Sequence, residues 1–524
     1  MKKLLYTFLI LTTIILWSSC RKDFVTVPSS GQLQFSKDTV YLDTVFTNIG
    51  SSTYNLKVYN RSDEDIRIPT IQLGEGENSR YRLNVDGIAG KVFQDIELLA
   101  NDSMFVFVET TLDINDFSGG NQFLYTDAIQ FDTGSNEQKV ELVTLVQDAV
   151  FLYPQQFDDG TIETLLLGVD EEGNESRVEG FFLEDSELNW TNEKPYVIYG
   201  YAAVGQNQVL NIDAGARVHF HANSGLIVGN LGSLQVNGTL STTEDLENEV
   251  IFEGDRLEPS FANVPGQWGT IWLTDGSTNN NINYATIKNA SVGILTENSD
   301  DPDNPTLTFN NSKIYNSATV GLLARTGHVE ANNSVIGSAG QASLYLNLGG
   351  KYTFRHCTFA NYWSNSFRTV PTVLIDNFLD LGNGTVFTAD LEQANFSNCI
   401  IDGNNSIELL FNQVENDSSI LLEYNFKNCL IKFDDFNDRF LNDPLYNFND
   451  PTMDNFENIS LVMNSNTIDF KNTDTGEFNI GENSAAIGIG NTSAIPAVQS
   501  DLLGNPRTNP SDVGAYNNAP FGDD

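Results

Sequence analysis

Two patterns of apolar and polar residues divide the chain. Over 31–149 apolar residues alternate with polar ones in short runs, at 33–35, 39–46, 54–59, 66–71, 81–85, 96–99, 104–110, 127–131 and 138–146. Alternation sends one face inward and the other to water. Turn clusters such as Asn60-Arg61-Ser62-Asp63-Glu64-Asp65 and Gly74-Glu75-Gly76-Glu77-Asn78 separate the runs. This spacing predicts an antiparallel β-sandwich. Helical periodicity is scarce throughout, so the expected fold class is all-β.

Beyond 190 the strands shorten and the punctuation changes to Gly and Asn. A six-residue phrase then recurs: aromatic or apolar, any, usually Asn, small, any, apolar. Its copies begin at Ile282, Phe309, Ala331, Phe354, Phe396 and Phe426, and the steps between their small residues are 27, 22, 23, 42 and 30. A period of twenty-odd residues predicts a solenoid. The first residue of the phrase reads as the inward end of a strand. The third turns a corner, and the fourth and sixth point inward on the next strand. The corner residues are Tyr284, Asn311, Asn333, His356, Asn398 and Asn428. Asn tolerates left-handed backbone, and Asn side chains stacked coil upon coil can hydrogen-bond in a ladder. The step of 42 predicts an extra coil or a protruding loop at 361–377, which carries Tyr362, Trp363, Phe367 and Arg368.

The segments Leu210 to Phe220, Gly232-Ser233-Leu234-Gln235-Val236-Asn237-Gly238-Thr239 and Trp268-Gly269, with the tail Asp512-Val513-Gly514-Ala515-Tyr516, resemble the right-handed parallel β-helix repeat proteins of bacterial secretomes. The stretches Leu56-Lys57-Val58-Tyr59-Asn60-Arg61-Ser62 and Leu99-Ala100-Asn101-Asp102-Ser103-Met104-Phe105-Val106 resemble Ig-like modules of the Hydin and abnormal-spindle type, which imply spacing and interaction roles. The expected organisation is therefore a leader over 1–19, a tether over 20–30, an Ig-like sandwich over 31–149 and a transition over 150–189. A right-handed parallel β-helix follows over 190–516, with a tail over 517–524.

The first residues read as an export signal. Met1-Lys2-Lys3 is a basic start, 4–17 is apolar, and Trp17-Ser18-Ser19-Cys20 resembles a bacterial lipobox. That resemblance implies a lipid on Cys20 and anchorage in the outer membrane. Arg21-Lys22-Asp23 loosely resembles the export tag of Bacteroidetes surface lipoproteins. The formal net charge of −43, from 27 Lys+Arg against 70 Asp+Glu, argues against nucleic acid and against an anionic membrane surface.

Chemistry is harder to place. Cys357, Cys399 and Cys429 share the small slot of the phrase and read as buried thiols, with a Cys399–Cys429 bond the lesser alternative. His219 and His221 lie two apart and could hold a metal, although ordinary strand positions are the plainer reading. Asp300, Asp301 and Asp303 form an acidic insert that could bind Ca²⁺. Arg325 with Lys351 or Arg355 could assemble a basic site, as a polysaccharide lyase needs. Tyr362, Trp363 and Arg368 are the candidate binding residues. The expected function is a non-enzymatic surface lipoprotein that binds a glycan or a protein partner. The alternative is a polysaccharide lyase or glycoside hydrolase on the same scaffold, a reading that rests on analogy of fold.

Overall fold

The computed structural model describes residues 25–116, 122–170, 172–298, 303–414, 417, 419–448, 454–464, 467–492 and 498–522. These form two compact units, the first ending at Asp148 and the second beginning at Ala149.

The first unit is an Ig-like sandwich. One sheet runs Gln34–Phe35, Tyr54–Tyr59, Ser103–Thr110, Tyr81–Val85 and Ile88–Gly90 in spatial order. The other runs Val27–Pro28, Ile66–Leu73, Gln122–Phe131, Gln138–Gln147 and Thr39–Phe46, with Val92–Leu98 also paired to Ile66–Leu73. Alternation sets the faces: Met104, Val106 and Val108 are buried, while Phe105 and Phe107 between them are exposed. Val106 and Val58 of one sheet share a core with Ile68, Val140 and Leu142 of the other. Pairing departs from the antiparallel expectation twice. Thr39–Phe46 lies parallel to Gln138–Gln147, and Val27–Pro28 lies parallel to Ile66–Leu73.

The second unit is a parallel β-helix of three sheets. Among the described residues, sheet I stacks eleven strands from Val150–Leu152 to Ser460–Val462. Sheet II stacks ten, from Thr164–Val169 to Leu409–Asn412, and sheet III stacks ten, from Asn189–Trp190 to Phe456–Glu457. The chain visits III, I and II in turn. From Asn280–Asn283 onward, each visit to sheet I follows one left-handed corner residue after sheet III, whereas the earlier coils use longer connections, such as 238–249. The corner residues read from the phrase are all left-handed: Tyr284 (φ 46°), Asn311 (49°), Asn333 (57°), His356 (51°), Asn398 (56°) and Asn428 (50°). The ladder is present in pieces. Asn333 donates to Asn311 at 2.9 Å, and Asn398 lies 2.9 Å from His356.

The other slots of the phrase fill the interior. Cys357, Cys399 and Cys429 are buried and unbonded. The leading aromatics form a column, with Phe354 on Phe396 at 4.9 Å between centroids and Phe396 on Phe426 at 4.5 Å. Phe456 continues it at 5.6 Å from Phe426. Phe456 opens a seventh copy that the sequence pattern hides, because Ile459 takes the small slot near the last rungs, where it stays only partly buried.

Two expectations change, and the long step resolves to the protruding loop. The stretch 150–189 is no connector: Val150–Leu152 pairs with Tyr196–Ile198, and Glu175–Phe182 pairs with Tyr201–Val204, so it supplies the first rungs. The long step hides no extra coil. Its length goes into a loop over 362–372 and a hairpin of Phe378–Asp380 with Val386–Thr388. The coils also end before 516. After Ser460–Val462 the chain returns along the outer face of sheet I, where Phe478, Leu502, Ala515 and Tyr516 cover Val335 and Ala360. Gly337 is required there, since a Cβ would lie 2.4 Å from the Phe478 ring.

Replacing Asn333 by Ala forces a Cβ residue without a polar side chain into left-handed backbone and deletes a ladder bond. Denaturant unfolding is expected to show a loss of about 1–2 kcal/mol for Asn333→Ala, with Asn333→Gly falling between it and the wild type.

Candidate functional site

Regular coils present a uniform surface, so a site must come from what breaks them. The loop over 362–372 leaves sheet I after Thr358–Asn361 and is pinned from below by Arg368. Its guanidinium meets Glu408 in a two-pronged pair at 2.6 and 2.9 Å and also donates to the carbonyls of Val370 and Asn361 and to Asn404 Oδ1. Glu408 accepts further bonds from Thr372 and from Asn405 N–H. Both side chains are essentially out of solvent, at 1% and 0% exposure. A buried pair is tolerable only when its remaining donors and acceptors are met, as here. Arg368, expected to touch a ligand, instead holds the loop's shape.

The loop presents Tyr362 and Trp363 to one side. Trp363 is buried and its Nε1 donates to Ser366 Oγ at 2.8 Å. Tyr362 donates its hydroxyl to Asp402 Oδ2, and its ring stacks on Phe478 at 6.1 Å and meets Phe470 edge-on. Beyond them lies a cleft of about 120 Å³. Tyr315, Asn316 and Ser338 form one side of it, Tyr362 to Asn365 another, and Asn263 with the hairpin turn Asp474-Thr475-Gly476 the rest. Its lining is two tyrosines, a tryptophan, amides and hydroxyls, with a single carboxylate and no cation.

The outer face of sheet I leads to this cleft along one register. His219 pairs with Glu253, Lys288 with Tyr315, Tyr315 with Gly337, and Ala360 with Asp402 on adjacent rungs. Lys288 Nζ lies 2.6 Å from Glu253 Oε2, and His219 Nδ1 lies 3.7 Å from Glu253 Oε1. Burial lowers the His219 pKa and favours the neutral ring. Burial opposes the Glu253 charge, yet His219 and Lys288 outweigh it and bring the carboxyl below its usual range. One column over, Lys313 lies 3.5 Å from Glu249, and Arg217 spends its guanidinium on backbone carbonyls, including those of Glu249 and Asp245. Acids and bases are therefore gathered here, and they largely neutralise one another.

The remaining candidates scatter. His221 turns away from His219 to Asp255 at 2.7 Å and stacks on Tyr199. Arg325 is on sheet II, 3.9 Å from Glu297, whereas Lys351 and Arg355 are on sheet III, with Arg355 at 3.3 Å from Glu330. They do not converge. Asp300 and Asp301 lie outside the described residues, as does Cys20, and Asp303 is exposed. No cluster of three metal-ligating side chains occurs among the described residues. Sequence reasoning missed Tyr315, Asn263 and the Asp474 turn, because nothing in their spacing shows that the tail folds back beside the loop.

No family model and no curated protein matches the chain. Several solved structures are similar to part of it. The PapD-like domain 7 of human CEP192 is 12% identical, covering 24% of this chain and 89% of that one, with a TM-score of 0.15. The E. coli chaperone DraB is 12% identical over 24% of this chain and 58% of its own, at 0.16. The periplasmic chaperone SfaE is 10% identical over 28% and 82%, at 0.15. These likenesses carry no functional argument.

Two outcomes are expected. Burial raises the Asp402 carboxyl to about 7, far above its unfolded value of about 4. The folded state thus holds more protons between those limits, and stability falls as pH rises from about 4 to about 7. Asp402→Asn removes that contribution, so denaturation measured across this range is expected to show a flatter profile for the variant. Glu408→Gln leaves Arg368 charged and poorly paired in the interior, and a loss of about 3–5 kcal/mol is expected in the same assay.

Proposed function

We propose that the chain is a non-enzymatic surface lipoprotein, anchored through Cys20 in the outer membrane, whose β-helix binds a glycan at the cleft beside Tyr362 and Trp363. The observation that carries this reading is the cleft's lining. Amide and hydroxyl groups match the donors and acceptors of a sugar ring, and aromatic faces match its apolar side. With Asp474 as its one carboxylate and no cation, the cleft disfavours uronates and other anionic sugars and fits a neutral residue. Its small volume suits one ring of a longer chain that continues over the exposed Ser364 and Asn365.

A second reading, a polysaccharide lyase or hydrolase, draws on the column of His219, Glu253 and Lys288. It ranks lower because Lys288 is held by Glu253, which leaves it poorly placed to meet a substrate carboxylate. A base in a lyase must also reach a substrate proton, and these side chains are about four-fifths buried or more.

The test is a glycan array probed with residues 21–524, with ultraviolet detection of unsaturated products in parallel. Neutral glycans are expected to bind without product, and Asn365→Ala, at an exposed position, is expected to weaken binding by about tenfold. Product formation abolished by Lys288→Ala would instead establish the enzyme. Separately, Cys20→Ser in the full chain is expected to abolish fatty-acid labelling and detergent-phase partition.

A further inference from the structure

A second concavity lies on the outer face of sheet II, several coils before the cleft. Its floor is one register column: Phe182 pairs with Ala203, Ala203 with Ile227, and Ile227 with Trp272. The hairpin of Thr164–Val169 with Glu175–Phe182 rises beside it, so that Leu165, Leu166 and Leu167 form a wall. The groove encloses about 310 Å³. Large apolar groups stand in water around it, with Leu166 50% and Phe182 61% exposed. Two such side chains on one groove mark a surface made to be covered.

The far end of the groove is acidic. Glu297 accepts from Trp272 Nε1 at 3.1 Å and has Arg325 at 3.9 Å, so its charge is already partly met. Asp275 lines the same end, is exposed, and has no hydrogen bond or ion pair within the described residues. A groove with an apolar floor, an indole and one unengaged carboxylate selects by charge as well as by shape. Anions are repelled by Asp275 and Glu297. A sugar is poorly served, because leucine, isoleucine and phenylalanine side chains leave its hydroxyls without partners. A positive charge next to the indole gains from the ring as well as from the carboxylate.

We propose that this groove binds a small organic cation, its apolar body lying on Ala203, Ile227 and Trp272 and its ammonium group meeting Asp275. The inference is independent of glycan binding at the cleft.

Three probes of one shape test it on the full chain by calorimetric titration: phenylbutylamine, phenylbutanol and phenylbutanoate. The amine is expected to bind about fivefold more tightly than the alcohol, in keeping with one partly exposed ion pair, and the carboxylate more weakly than either. Asp275→Asn, at an exposed site, is expected to erase the difference between amine and alcohol while preserving binding of the alcohol. Added salt is expected to narrow the same gap. Equal affinity of amine and alcohol in the wild type, tighter binding of the carboxylate, or no binding of any probe at millimolar concentration overturns the proposal. So does an amine preference that survives Asp275→Asn.

Discussion

From Asn280 onward, the β-helix depends on turning from sheet III to sheet I at a single left-handed residue. Each such corner uses no spare length, so consecutive coils stay in register and like residues stack on like. That register puts Phe354, Phe396 and Phe426 in one aromatic column and the three thiols in the next slot. A slip of one residue would send every side chain to the opposite face. Left-handed backbone is costly for most residues with a Cβ, and Asn tolerates it because its amide can bond locally and along the ladder. The tail reinforces these corners: Arg507 donates to Asn333 Oδ1 at 2.8 Å, and Asn398 exchanges bonds with the backbone of Asn491.

Register also decides what the outer surface becomes. On sheet I the outward column is charged or polar at His219, Glu253, Lys288 and Tyr315, then small at Gly337 and Ala360, where the tail lies down. The cleft opens at the boundary between those two regimes. Its walls come from three departures from the coil: the loop 362–372, the insert carrying Asn263, and the returning hairpin with Asp474. Arg368 and Glu408 matter as the buried strut that gives the first of these a fixed shape.

Much of this was legible in the chain itself. The corner, core and small slots of the phrase were readable because they obey a local rule, repeated until chance is excluded. The departure from the coil at 361–377 was readable as a break in that rule. Arg368 was misread because an arginine beside two aromatics has the composition of a binding site, and only the fold brings Glu408 beneath it, 40 residues away. The Asp474 turn and Tyr315 were invisible for the same reason, since their meeting depends on a chain reversal after Val462. The charged column on sheet I was likewise hidden. Its members are spaced by whole coils of unequal length, whereas Arg325, Lys351 and Arg355 looked close in sequence and lie on different sheets.

The most direct measurement is hydrogen exchange of the full chain with and without a neutral oligosaccharide that the array identifies. Amides around 263, 314–317, 338, 362–365 and 472–477 are expected to gain protection, with the coil corners and the strand segments 217–220, 250–254 and 285–288 unchanged. Protection centred on 217–220, 250–254 and 285–288, with the loop and the hairpin turn unaffected, would contradict the claim that binding resides where the repeat is interrupted.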